Sequence, residues 1–136
     1  MNILLDTHIA LWMLRGVDLP TAALNLVSNS KNNLFVSAVS LWEASIKHMK
    51  NPEAMPVSGS LLREKSEEAG FEIIGLNAAH VEALETLDCA SADEGHENHK
   101  DPFDRMLIAQ SKAEGMLLLT HDERLALYGE PLVCVV

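Results

Sequence analysis

At 136 residues with 48% apolar content, the chain can bury one proper core, so a single domain spanning 1–136 is expected. Its formal charge of −10, from 20 acids against 10 Lys and Arg, excludes broad phosphate-driven binding of nucleic acid but not a nucleic acid held locally through a metal ion. "MNILLDTH" has no basic leader, no apolar run approaches the roughly 20 residues of a membrane span, and Cys89 and Cys134 show no paired spacing; a soluble, cytoplasmic protein without a membrane partner is expected.

Short apolar runs alternate with helical periodicity, the pattern of a parallel α/β sheet. The first predicted strand is 3–5. "IALWML" and "TAALNLV", separated by Gly16 and Pro20, predict one or two helices from Thr7 to about Ser28. A strand over 34–37 leads into a helix from Ser40 to about Met49, with Trp42, Ile46 and Met49 on one face. "SGSLLREKSEEAG" predicts a fourth helix that stops at Gly70, before a strand over 72–76. A fifth helix starts at Asn77 and stacks His80, Leu84 and Leu87. The polar stretch 88–100, "DCASADEGHENHK", reads as a loop. The sixth helix runs from Pro102 to Glu114 with Gly115 closing it, and strands over 116–120 and 132–135 finish the sheet. Cys134 is expected to be a buried strand residue.

In such a sheet, strand C-termini and the N-termini of the following helices share one edge, where these folds bind ligands. Asp6 follows the first strand directly, and Glu43 sits in the first turn of the helix after the second. Asp122 follows "LLLT" by two residues, while Asp101 and Asp104 open the helix that descends into that strand. Each acid has a local explanation. Asp101 is a preferred N-cap before Pro102, Asp104 meets the positive end of the helix dipole, and "SLWE" forms a capping box from Ser40 to Glu43. Asp6 and Asp122 suit strand-end turns.

Caps from separate segments have no reason to converge on one edge, whereas a metal site requires it. A carboxylate cluster repels itself unless it stays partly protonated or binds a hard cation, and an oxygen-only donor set suits Mg²⁺ or Mn²⁺. Such an ion activates water and neutralises a phosphodiester in flight, so phosphodiester hydrolysis is the natural chemistry. Competing motifs are thin. "ILLDTH" lacks the second Asp of aspartyl-phosphate phosphatases, the six histidines show no HxH or HxxxH spacing, and no glycine-rich phosphate loop, GxSxG or CxxC occurs. His80 reads as a helix-face residue. Lys47 and Lys50 give the Glu43 helix a basic flank, or simply an i,i+4 pair on a solvated face.

These motifs together resemble the PIN-domain ribonucleases, and within them the toxins of VapBC-type toxin–antitoxin pairs. "ILLDTHIALW" is similar to the family's first strand and acid, and "VSAVSLWEASIK" to the helix carrying its Glu. "DPFDRMLIAQ" is similar to the third motif, and "LLLTHDERLALYG" to the closing Thr-x-Asp segment. The resemblance implies a three-layer α/β/α sandwich on a parallel sheet of about five strands. It implies Asp6, Glu43, Asp104 and Asp122 as catalytic metal ligands for Mg²⁺ or Mn²⁺, with Asp101, Thr120 and Thr7 auxiliary. It further implies endoribonuclease activity on RNA, a homodimer, and a small antitoxin that neutralises the acidic site. A non-catalytic RNA- or protein-binding adaptor is the alternative. One departure stands out: the acidic insertion carrying Asp93, Glu94 and Glu97 precedes "DPFDR" and bears on substrate access.

Overall fold

Five short apolar segments pair side by side, all parallel, in the order β3-β2-β1-β4-β5. The computed structural model describes residues 1–88 and 101–136. The strands are β1 (Asn2–Leu5), β2 (Asn33–Ser37), β3 (Glu72–Ile74), β4 (Leu117–Thr120) and β5 (Val133–Val135). Between them run α1 (Thr7–Leu14), α2 (Thr21–Val27), α3 (Ala38–Lys50), α4 (Gly59–Glu68), α5 (Ala78–Leu84) and α6 (Pro102–Glu114), and a 3-10 helix (Glu123–Tyr128) precedes β5.

The middle strand explains the layering. Ile3 and Leu5 face one cluster with Ile9, Ala23 and Leu119, whereas Leu4 faces the other with Leu107, Ile108 and Leu118. Period-2 alternation in a strand with no water on either face buries all three residues completely. The result is the α/β/α sandwich expected from the sequence. Among the described residues, no helix is long and apolar enough to cross a membrane.

Local chemistry sets several boundaries. α6 starts at Pro102 and ends at Glu114 as the sequence predicts, because Asp101 caps Phe103 N (2.9 Å) and Asp104 N (3.0 Å) while Gly115 takes the left-handed conformation (φ 67°). α4 packs so tightly on α3 that a Cβ at Gly59 would lie 2.5 Å from the Leu41 carbonyl oxygen. Glycine is required there by the close approach.

Three expectations need correcting. The capping box from Ser40 to Glu43 does not form: Ser37, the last residue of β2, caps α3 by accepting from Val39 N (3.0 Å), while the Ser40 hydroxyl accepts from Thr7 Oγ1 (2.8 Å). Glu43 consequently lies in the second turn, not the first. Cys134 is half-buried rather than buried, since β5 is an edge strand. His80, the helix-face residue of α5, is fully buried. Its Nδ1 accepts from Asn77 N (3.2 Å), so Nε2 is the donor to Glu114 Oε1 (2.7 Å).

Gln110 of α6 joins that network, taking a hydrogen bond from Ser37 Oγ (2.5 Å) and approaching His80 Nδ1 (3.3 Å). The cap of α3 is thereby tied to the middle of α6. Trp42, Ile46 and Met49 share a face of α3 as expected, but that face is exposed, at 56%, 43% and 81%. α5 ends at Leu84, and Leu87 packs on the core from outside it. The predicted loop at 88–100 falls outside the described residues except for Asp88.

Candidate metal centre

β1 and β4 are neighbours, and chain order reverses there: β2 and β3 continue to one side, β5 to the other. Open α/β sheets bind ligands at the C-terminal side of such a switch point. Asp6 sits immediately beyond β1, with its own N–H donating to Leu119 O of β4 (2.9 Å). It caps α1, is nearly buried, and accepts a 2.5 Å hydrogen bond from Thr120 Oγ1 at the end of β4. The Thr120 hydroxyl in turn accepts from Asp122 N (3.1 Å). One threonine therefore joins two of the predicted acids.

Glu43 projects from the second turn of α3 and is 3% exposed. A helical side chain leans toward the N-terminus, which carries its carboxylate back toward the strand-end edge. Oε2 accepts from Lys47 Nζ (2.7 Å), so the i,i+4 pair is formed; Oε1 is buried with no hydrogen-bond partner. A buried carboxylate oxygen left without a donor costs about 1–3 kcal/mol or more. Cation coordination would remove that cost.

Asp104 opens the first turn of α6, and its carboxyl is raised to about 7. Burial is the largest cause, followed by the negative charges of Asp6, Asp101, Glu43 and Asp122. All the predicted acids thus lie within electrostatic reach of one side chain. Burial also raises Asp6, against the lowering effect of the Thr120 hydrogen bond. For Lys47, burial disfavours the charge, but the Glu43 contact and the charges of Asp101 and Asp104 prevail and raise it.

The auxiliary candidates separate. Asp101 spends one carboxylate oxygen on the α6 cap. Thr120 supports Asp6, whereas the Thr7 hydroxyl turns away to Ser40 and locks α1 onto α3. Asp122 caps the 3-10 helix and is gripped by Arg124, Nε to Oδ1 at 3.0 Å and Nη2 to Oδ2 at 2.7 Å. Sequence reasoning missed this clamp, although an Arg two residues after an acid was a usable signal. It missed Gln110 and His80 because their partners are distant in sequence.

An all-carboxylate donor set with an orphaned buried oxygen fits Mg²⁺ or Mn²⁺ in kind. As they stand, no three Asp, Glu, His or Cys side chains among the described residues are drawn close enough to grip an ion.

Comparison with known proteins agrees with this architecture. No curated protein matches the chain. Among solved structures, a chain of VapBC2 from Rickettsia felis, bound to a DNA fragment from their promoter, is similar at a TM-score of 0.68 and 18% identity, covering 100% of this chain and 98% of that one. A chain of the DNA-bound VapBC from Salmonella typhimurium gives a TM-score of 0.66 and 14% identity, covering 100% and 97%. At such identities the likeness establishes the fold. The PIN domain family matches residues 3–131, nearly the whole chain, and this protein belongs to that family.

Proposed function

We propose that this PIN-domain protein is a metal-dependent endoribonuclease, the toxin half of a VapBC-type pair, working in the cytoplasm and neutralised by a cognate antitoxin. The observation that carries the reading is the convergence of Asp6, Glu43, Asp104 and Asp122 on one sheet edge. Burial and, after it, the charges of the neighbouring acids push Asp104 to about 7, and a buried Glu43 oxygen is left unpaired. The likeness to chains of VapBC complexes supports the antitoxin partner. Exposed Trp42, Ile46 and Met49 on α3, and Val17 and Leu24 near the α1–α2 turn, offer an antitoxin and a second copy of the chain apolar surface to cover.

Asp6, Glu43, Asp104 and Asp122 would hold Mg²⁺ or Mn²⁺, which when bound lowers the pKa of a water and offsets charge on the phosphate. Thr120 aims Asp6 and favours its ionised form against the effect of burial, and Asp101 fixes the helix end from which Asp104 projects. Without a cation Asp104 holds its proton to about 7, so binding the ion there displaces that proton. Lys47 balances Glu43 and leaves Oε1 available.

The non-catalytic adaptor is the second reading, favoured by the Asp122–Arg124 and Glu43–Lys47 pairs, which already balance two of the acids. The discriminating experiment incubates purified protein with a mixed single-stranded RNA pool in Mn²⁺, Mg²⁺ or EDTA. Cutting in either metal that stops in EDTA is expected. Cutting that persists in EDTA would remove the metal from the mechanism, and folded protein that cuts no RNA in either metal would favour the adaptor.

A further inference from the structure

Next to the acids lies a feature that metal binding does not use. A cavity of about 310 Å³ is walled by Leu11 of α1, by Met55 after α3, and by His8, Lys47, Lys50 and Asn51. Lys47 also contacts Glu43 at 2.7 Å, so cavity and acidic edge share a wall. The volume is at the low end of the roughly 300–1,000 Å³ typical of small-ligand sites, the scale of one nucleoside rather than a long polymer.

The lining has the chemistry such a group needs. Leu11 and Met55 supply an apolar surface, and the His8 ring supplies a π-face that also lies 6.5 Å from the Trp12 ring. Asn51 Oδ1 is taken by Ala54 N (3.2 Å), which leaves its amide N–H groups to donate to an acceptor. The wall is braced as well, since His48 Nδ1 is 2.8 Å from the Met55 carbonyl oxygen and Met55 N donates to Asn51 O (3.0 Å).

Charge points the same way. Arg63, Lys65, Lys112 and Arg124 are each committed to an acid. Lys50 makes no ion pair among the described residues and stands on the cavity wall. In a chain of net charge −10, two of its ten Lys and Arg residues meet an apolar cavity at the edge of the acid cluster.

We propose that this cavity is a base-binding subsite, taking one nucleobase of single-stranded RNA beside the cut phosphate. Lys50 meets a backbone phosphate, Asn51 donates to an acceptor on the base, and Leu11, Met55 and His8 pack against its faces. The proposal rests on the nuclease reading and adds a specificity determinant to it.

The test uses the whole protein and the exposed-site variants Lys50→Ala and Asn51→Ala, read in two ways. Anisotropy of labelled homopolymeric hexaribonucleotides measures binding with Ca²⁺ in place of Mn²⁺, and sequencing of a randomised RNA pool cut in Mn²⁺ gives the base preference around the cut. Lys50→Ala should weaken all hexanucleotides about three- to tenfold, whereas Asn51→Ala should flatten the preference at one position about fivefold or more. Wild-type binding and an unchanged profile in both variants would overturn the subsite while leaving the nuclease standing, and would give the cavity to a protein segment instead. A wild-type protein that neither binds nor cuts RNA would overturn the functional reading, and the subsite with it.

Discussion

Asp104→Asn should lower RNA cleavage by about two orders of magnitude or more, yet yield a protein that is more stable than wild type when divalent cations are absent. Loss of an outer partner of a metal ligand typically costs 10–100-fold, so loss of a charged ligand should exceed about 100-fold. The stability gain follows from the raised carboxyl. Because the native state holds the Asp104 proton up to about 7 while the unfolded chain releases it near 3.8, native stability is undiminished below 3.8 and falls as pH rises toward 7. Such a shift nominally corresponds to about 4 kcal/mol, which solvent screening of a half-buried group reduces to about 1–2 kcal/mol.

Asp104 also favours the α6 dipole, but that contribution, about 0.3–1 kcal/mol, is smaller than the combined cost of burying its charge and of repulsion from the surrounding acids. Urea denaturation in EDTA at pH 5 and pH 8 checks the expectation. The variant should be about 1–2 kcal/mol the more stable at pH 8, with the difference shrinking toward pH 5. Equal stability at pH 8 would show that neither burial nor the surrounding acids disfavour the Asp104 charge.

Thr120→Val should produce the second large effect. The fully buried hydroxyl donates to Asp6 Oδ2 and accepts from Asp122 N, so valine of similar shape removes two hydrogen bonds at once. Each buried polar group left unsatisfied costs about 1–3 kcal/mol, although a water reaching the partly buried Asp122 N–H would recover part of this. A net loss of about 2–4 kcal/mol is expected, and since the hydroxyl lowers the Asp6 carboxyl, metal affinity should fall too. Thr120→Ser should restore most of both. Thermal denaturation of the two variants decides the matter, and a valine variant as stable as wild type would remove the supporting role.

Where a segment carries its own stop and start signals, sequence was enough. Asp101, Pro102 and Gly115 bound α6 to the residue because capping is satisfied within a few positions. The buried strands were legible as short apolar runs, and their common edge located the acids. The start of α3 was not legible, since Ser37 and Ser40 are both good caps and the choice depends on Thr7, thirty-three residues from Ser40. The burial of His80 was not legible for the same reason: Gln110 and Glu114, which justify burying it, arrive from a helix far along the chain. The outward face of α3 has the apolar spacing of a core face, and only the packing reveals that Trp42 meets Phe103 edge-on (5.0 Å) while much of its surface remains exposed.

That the acids of this edge act together as one divalent-cation site is tested most directly by calorimetric titration of Mn²⁺ into wild type and Asp104→Asn at pH 6 and pH 8. Saturable binding to wild type is expected, tighter at pH 8 because Asp104 must give up its proton, and strongly weakened in the variant at both pH values. Folded wild type that takes up no Mn²⁺ at pH 8, or a variant that binds as tightly as wild type, would contradict it.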